Sequence, residues 1–259
     1  MATSPDEPLR DFDSAAGPLS GALAAIERAR AAFERAEREG RVPENSREAV
    51  RVELTFNSNA IEGSTLTLRE TQLVLEGHAP AGNKSMRELY EARNHDRALR
   101  SIEAWVADTA TAGVTEERLL AVHAMLMTDI DAAHAGRFRT GRVLIKGTRF
   151  VPPGPHHFGV LLPQLIDLAS RVSGSTVLRA AELHYNLVAV HPFNDGNGRT
   201  ARLMMNHLLM SRGYPCTVVE VDRRAEYLLA LEAANVGNVQ PFAEFIAGCV
   251  QRSIDRLVG

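Results

Sequence analysis

Apolar residues recur at helical spacing along almost the whole chain, and this periodicity limits the possible folds more strongly than any other feature. Capping-box patterns at Thr67 with Glu70 and at Ser85 with Glu88 mark two of the helix starts. We expect a mainly α fold with helices at residues 19–39, 46–60, 67–77, 85–106, 115–128, 159–172, 176–190, 199–211, 223–235 and 241–258.

One stretch interrupts the helical pattern. Residues 136–158 read GRFRTGRVLIKGTRFVPPGPHHF, and the second half contains few helix-forming residues. Two short β-like runs, at 143–145 and 149–151, flank Gly147 and Thr148. Short apolar runs separated by a glycine turn are typical of a hairpin, so we predict one small β-hairpin over about residues 138–155.

Composition narrows the class of protein. The chain has 259 residues, a net charge of −3 and only two cysteines. The net charge is not basic, so it does not indicate binding to nucleic acid. No apolar run reaches the roughly 20 residues that span a bilayer. The polar start carries no signal peptide, so a cytoplasmic protein is expected. We predict a disordered tail at 1–17, an N-terminal helical region at 18–110 and a core domain at 111–259.

The residues that follow the helix at 176–190 suit the binding of an anion. Gly196 and Gly198 permit positive φ values, which let successive main-chain N–H groups converge on one point. The next helix starts at this loop and adds its partial positive charge. Arg199 and Arg202 are three residues apart and project from one side of its first turn. These features predict a phosphate-binding cradle with two guanidinium groups.

Acidic and basic side chains suited to catalysis lie beside this cradle. Asp195 is placed where a carboxylate would hold Mg²⁺ against phosphate oxygens. His191 is the residue of the loop that can act as a base near neutral pH. Pro192 disfavours helical geometry at His191, so the preceding helix should stop there. Phe193 is expected to anchor the loop in the core.

The segment HPFNDGNGRTAR (191–202) resembles the Fic motif His-x-Phe-x-(Asp/Glu)-Gly-Asn-Gly-Arg-x-x-Arg position by position. The resemblance implies a Fic-type helical bundle and transfer of a nucleoside monophosphate from ATP to a hydroxyl group of a protein. His191 would take the proton of the hydroxyl group, and Asp195 would hold Mg²⁺. Arg199 would stabilise the leaving pyrophosphate, and Arg202 would hold the γ-phosphate.

The same resemblance assigns the glycines and the asparagine of the motif. Asn197 and the main chain of Gly196 and Gly198 would bind the α- and β-phosphate oxygens. Phosphotransferase relatives of the Doc type carry a basic residue where this chain has Gly198. That difference favours transfer of a nucleotide over transfer of a phosphate group.

The resemblance extends over about residues 45–257. The predicted hairpin is similar to the family's flap, which would bind a segment of the target protein by strand addition. The stretch AEYLLALEAANVGNVQPF is similar to the wall of the adenine pocket. There Asn235 matches a position that contacts the base, and Tyr227 is a second candidate, although the aromatic register could instead place Leu228 at the contact.

A second motif, Ser58-Asn59-Ala60-Ile61-Glu62-Gly63, resembles the inhibitory helix signature (Ser/Thr)-x-x-x-Glu-(Gly/Asn) of Fic proteins. It would lie in a helix at about 46–63, N-terminal to the core. The resemblance implies that Glu62 pairs with Arg202 and keeps it from the γ-phosphate. Ser58, one turn earlier, is expected to hydrogen-bond Glu62 and orient it.

The sequence therefore predicts an auto-inhibited, Mg²⁺- and ATP-dependent protein adenylyltransferase, that is, an enzyme of AMPylation, which could also modify itself. Two alternatives stay open: removal of AMP or transfer of another nucleotide at the same site, and a non-catalytic helical module that binds a partner. The expected partners are a nucleotide and a protein docked along the flap, with a homodimer possible. No membrane or nucleic acid is expected.

Overall fold

The computed structural model describes residues 9–79, 83–108, 113–145 and 147–258. All ten predicted helices are confirmed, with bounds that differ from the predicted ones by a few residues. The helices are α1 (Ser20–Arg38), α2 (Glu44–Ile61), α3 (Leu68–Leu75), α4 (Met86–Ala107), α5 (Glu116–Met127), α6 (Phe158–Ser170), α7 (Thr176–Val190), α8 (Asn197–Met210), α9 (Arg224–Asn235) and α10 (Gln240–Val258).

Local side-chain chemistry explains where several helices begin. Thr67 and Ser85 accept hydrogen bonds from the main-chain N–H groups of Glu70 and Glu88, and each glutamate bonds back to the cap residue. These reciprocal bonds satisfy N–H groups that otherwise lack a partner in the first turn. Both capping boxes are confirmed, and they set the starts of α3 and α4.

The centre of the bundle is the pair of helices α7 and α8. Residues 176–190 of α7 are buried on almost every face, and α7 packs against α6, α8, α9 and α10. Helix α8 is also buried over most of its length and contacts α4 and α5. A helix that is buried all round belongs to the core of a bundle. The loop at 191–196 connects these two central helices, so the surrounding helices hold both of its ends.

The longest helix, α4, has 22 residues and carries charged side chains throughout. It packs against α2, α3, α5 and α8, and thereby connects the N-terminal helices to the central pair. In the part of the chain that the structure describes, no helix is both long and apolar enough to cross a membrane.

The prediction of a disordered tail is wrong for residues 9–17. Phe12 is completely buried, and its ring contacts Tyr185 and Phe242 at centroid distances of 5.9 and 6.2 Å. The main chain of Arg10 exchanges two hydrogen bonds of 2.9 Å with the side chain of Asn186. A polar sequence with a single aromatic anchor has no periodicity to detect, so the tertiary contact decides the outcome. Residues 1–8 lie outside the described residues.

The predicted hairpin is not found either. Residues 138–145 and 147–155 contain no β-strand, and residue 146 lies outside the described part. The side chain of Arg139 is buried, and its guanidinium donates hydrogen bonds of 2.6 Å to the carbonyl groups of Gly141 and Pro153. A long-range contact from one arginine therefore holds the two ends of this segment together, where the sequence predicted a ladder of main-chain bonds.

We predict that Phe12→Ala lowers the free energy of unfolding by about 3–5 kcal/mol. The substitution removes the buried ring that contacts Tyr185 of α7 and Phe242 of α10. Urea unfolding followed by far-UV circular dichroism measures the change. Leu229→Ala is the control, since Leu229 is 71% exposed and its loss should cost under about 0.5 kcal/mol. Equal stability of the two variants would contradict the packed position of residues 9–17.

Candidate active site

Two residues with positive φ shape the loop between α7 and α8. His191 ends α7 with φ 49°, and Gly196 precedes α8 with φ 75°. A Cβ atom on Gly196 would lie 3.2 Å from the sulfur of Met127, so both the conformation and the space require glycine there. Helix α8 begins at Asn197, two residues earlier than predicted, and its first N–H groups face the loop.

The side chain of Asn197 braces this loop from within. Its Oδ1 accepts from the N–H of Phe193 and its Nδ2 donates to the carbonyl of Phe193, both at 2.9 Å. The amide keeps a second N–H, so the expected role of Asn197 toward phosphate oxygens stays a prediction. Phe193 is completely buried and anchors the loop as expected.

His123 on α5 is a supporting residue that the sequence did not reveal. Its ring stacks on Phe193 with a centroid distance of 3.7 Å, its Nδ1 accepts from Gly136 N–H, and its Nε2 donates to the carbonyl of Asp195 at 3.1 Å. Burial lowers the pKa of His123 to about 4, so the ring is neutral and keeps this tautomer. The sequence shows only that His123 falls on the buried face of α5, because helical periodicity does not reveal the partner of a buried histidine.

His191 is arranged as a proton acceptor. Its Nδ1 donates to the carbonyl of Val188 at 3.1 Å, which leaves the lone pair on Nε2. Burial lowers the pKa of His191, and the hydrogen bond to Val188 opposes this effect only in part. The ring is therefore neutral at physiological pH and able to accept a proton.

Arg139 connects the loop to the segment predicted as the flap. Its Nε donates to the carbonyl of His191 at 2.7 Å, and its main-chain N–H donates to that of Pro192 at 2.9 Å. The same guanidinium binds the carbonyls of Gly141 and Pro153. One residue, 2% exposed, thus holds both the main chain of His191 and the segment beside it. The sequence offered no signal for this role.

Arg199 and Asp195 lie in a group of four alternating charges. Arg199 Nη1 lies 3.1 Å from Glu91 Oε1, and its Nη2 lies 3.5 Å from Asp195 Oδ1. Arg87 contacts both acids, with Nε 3.0 Å from Glu91 and Nη2 2.5 Å from Asp195. Burial raises the pKa of Asp195, but Arg199, the Gly196 N–H and Arg87 outweigh it, and the net pKa is below its ordinary value.

Arg202 is 1% exposed and is held from helix α2 and the residue that follows it. Its Nε donates to Ser58 Oγ at 2.9 Å, and its Nη2 donates to the Ser58 carbonyl at 2.8 Å and to Glu62 Oε1 at 2.7 Å. The predicted pair of Glu62 and Arg202 is therefore present in the structure. Ser58 binds the arginine, whereas the sequence led us to expect it to orient the glutamate. Ser58 in the last turn of α2 and Glu62 at its C-cap thus bind one guanidinium group.

The carboxylate of Glu62 lies directly over Gly198. A Cβ atom at residue 198 would collide with Glu62 Oε1, so glycine lets the carboxylate lie there and a larger residue would require Glu62 to shift. Burial raises the pKa of Glu62, but the Coulomb attraction and hydrogen bond of Arg202 outweigh it, and the net pKa is lowered. The glutamate is thus charged and lies on the predicted anion cradle.

The two candidates for the adenine pocket are placed differently. Tyr227 is 3% exposed and its hydroxyl group bonds His184 Nε2 at 2.9 Å, so its ring belongs to the core. Asn235 is half-buried at the end of α9 and accepts from the Tyr185 hydroxyl at 3.1 Å. Arg10 donates to the carbonyl of Asn235 at 3.2 Å. Asn235 therefore remains the better positioned of the two candidates, and it is supported by the N-terminal segment.

Comparison with known proteins gives a consistent result. The sequence model of the Fic/DOC family matches residues 113–209. The protein adenylyltransferase fic-1 of Caenorhabditis elegans is 37% identical over 207 residues, which is 79% of this chain and 40% of the relative. The protein adenylyltransferase Fic of Drosophila willistoni is 37% identical over 237 residues, or 90% of this chain and 45% of the relative. The chain thus spans less than half the length of these relatives.

Solved structures agree with the sequence relatives. A segment of Fic-1 from Caenorhabditis elegans matches with a TM-score of 0.82 and 30% identity, covering 94% of this chain and 74% of that one. A Fic family protein from Desulfovibrio desulfuricans matches with a TM-score of 0.77 and 27% identity, covering 96% and 75%. The likeness therefore includes the N-terminal helices as well as the core.

We predict that His123→Gln flattens the dependence of stability on pH. The folded-state pKa of about 4 lies below the unfolded value of about 6.5, so the unfolded state binds the proton first. His123 should therefore cost about 1.4 kcal/mol of stability for each unit that pH falls between 6.5 and 4, and glutamine removes this contribution. Urea unfolding at pH 7.5, 6 and 5 measures both slopes. His156→Gln, at an exposed position, should keep the wild-type slope, and a wild-type slope in His123→Gln would contradict the assignment.

Proposed function

The chain belongs to the Fic/DOC family, and from this premise we propose that it is a protein adenylyltransferase that transfers AMP from ATP to a hydroxyl side chain of a target protein. One observation carries the proposal: a neutral histidine, the N-terminus of α8 and two buried arginines meet at one loop. This arrangement suits attack on a phosphorus atom, since it combines a base with groups that stabilise negative charge.

In this reaction the target hydroxyl oxygen attacks the α-phosphorus of ATP in line with the bond to the β-phosphate. The new oxygen–phosphorus bond forms as the bond to the bridging oxygen breaks, and pyrophosphate leaves. The proton of the hydroxyl group passes to Nε2 of His191, the nitrogen left free by the bond of Nδ1 to Val188. Arg139 fixes the main chain of His191 and so keeps the base at the loop.

Donors for the phosphates come from α8. The first N–H groups of α8 and the guanidinium group of Arg202 border the space over Gly198, and Arg199 acts electrostatically on the Glu62 carboxylate that lies there. Nη1 of Arg202 and Nε of Arg199 are buried without a hydrogen-bond partner among the described residues. Buried donors without partners are costly, and oxygens of a triphosphate would satisfy them.

Asp195 is the residue that would hold Mg²⁺. Its carboxylate is charged, because its pKa is lowered, and its side chain is 46% exposed. Within the described residues no group of three or more His, Cys, Asp and Glu side chains is placed to bind a metal. One carboxylate fits a cation that keeps its waters and takes its other ligands from phosphates. When bound, Mg²⁺ would neutralise phosphate charge.

Glu62 would act as a built-in inhibitor. Its carboxylate occupies the space over Gly198 and pairs with Arg202, which is the partner proposed for the γ-phosphate. A triphosphate has to displace Glu62 to reach both positions. The side chain of Glu62 is 41% exposed, so it can move without unpacking α2. Competition of this kind lowers activity without changing the fold.

The segment at 138–155 would bind the target. Its irregular main chain lies beside His191, because Arg139 bonds the carbonyl groups of both His191 and Pro153. Leu144 in this segment is 82% exposed. An extended target segment pairing with this main chain would place a hydroxyl group near the base with little demand on sequence. The described parts of the segment, 138–145 and 147–155, would then take up strand geometry on docking.

We predict that Glu62→Gly increases transfer of label from α-³²P-ATP to protein by about a hundredfold or more. This increase corresponds to an activation free energy lowered by about 3 kcal/mol, because the triphosphate can then align for attack. Glu62→Gln should give a smaller increase, because the amide still accepts a bond from Arg202. His191→Ala in the Glu62→Gly background should abolish transfer. Labelled UTP and GTP test other donors. Absence of any label with Glu62→Gly, ATP and Mg²⁺ would overturn the proposed function.

We further predict the pH dependence of transfer in the Glu62→Gly variant. Neutral His191 is the active form, and burial lowers its pKa, so the rate should rise with pH up to an inflection below about 6.5 and then stay constant. Single-turnover labelling between pH 5 and 8.5 measures this profile. An inflection above pH 7 would contradict His191 as the base.

A further inference from the structure

Four charged side chains at the rim of the site form a closed ring. Asp195 contacts Arg199 and Arg87, and Glu91 contacts the same two arginines. The ring joins the start of α8 to the first turns of α4. Two acids and two arginines give no net charge, so the ring is balanced without any added ion.

The four members differ in their freedom to move. Arg199 is 2% exposed and Glu91 is half-buried, whereas the side chain of Arg87 is 56% exposed. Arg87 can therefore leave the ring at little cost, while Glu91 continues to hold Arg199. If the contact between Arg87 and Asp195 opens, Glu91 still contacts both arginines.

This contact engages the carboxylate that the proposed function assigns to the cation. Arg87 Nη2 lies 2.5 Å from Asp195 Oδ2, and Arg199 lies nearer the other oxygen, Oδ1. A divalent cation that binds Asp195 has to take an oxygen that a guanidinium group already neutralises. Arginine and cation cannot both hold Oδ2 at full strength, since their positive charges repel.

We infer that Arg87 is a positioning residue. Its guanidinium group occupies the position of the cation beside Asp195 until the cation displaces it. The inference rests on the proposed function, which assigns Asp195 to Mg²⁺. In the protein without nucleotide, Arg87 keeps the carboxylate oriented and lowers its affinity for free divalent ions. When the cation arrives with its nucleotide, Arg87 swings into solvent and retains Glu91 as its partner through Nε.

The test is the affinity of the full chain for Mn²⁺ without nucleotide, measured by the EPR signal of the free ion. Arg87→Ala should tighten binding by about threefold to fivefold, which is the range expected for an exposed ion pair. The Mn²⁺ affinity of Arg87→Lys should fall between those of the wild type and Arg87→Ala. Arg93→Ala, at another exposed arginine of α4, is the matched control and should not change the affinity. Asp195→Ala should remove the site.

Thermal unfolding of each variant separates positioning from folding. Arg87→Ala should keep the wild-type melting temperature, because an exposed side chain leaves no cavity. Unchanged or weaker Mn²⁺ binding in Arg87→Ala would overturn the inference, and so would Mn²⁺ binding that survives Asp195→Ala. The transfer of AMP by Glu62→Gly is assayed separately, so failure of the inference and failure of the proposed function are distinguishable.

Discussion

The site is organised around the buried positive charge of Arg202, a residue that is only 1% exposed. A buried charge is tolerated only when it is paired and hydrogen-bonded. Ser58 in the last turn of α2 and Glu62 at its C-cap supply these contacts, which brings a separate helix onto the site. Gly198 leaves the space that the carboxylate of Glu62 occupies. The same charge suits a phosphate, and under the proposed function Glu62 and the phosphate compete for it.

The loop itself depends on main-chain contacts made by distant side chains. Asn197 closes the loop on Phe193, His123 binds the carbonyl of Asp195, and Arg139 binds the carbonyl of His191. All three side chains are at least nine-tenths buried. Since they hold main-chain atoms, the shape of the loop does not depend on the ion pairs of Asp195, Arg199 and Arg202.

Sequence reasoning succeeded where interactions are local and failed where they are not. The capping boxes of α3 and α4 involve residues three apart, so the sequence displays them directly. Phe12 packs against Phe242, and nothing near residue 12 in the chain shows this. The hairpin prediction rested on two β-like runs, yet Arg139 replaces the expected strand ladder with contacts to carbonyl groups.

The sequence by itself determined the ten helices, the glycine turn and the residues of the motif, because periodicity, capping and φ preferences act within a few positions. It also marked Glu62 as the partner of Arg202, through a resemblance and not through geometry. Only the tertiary structure decided that Ser58 binds the arginine, that His123 holds the loop and that Arg87 covers Asp195. These pairs are separated by 72 to 144 positions, so no local rule links them. Their distances follow from how the helices pack.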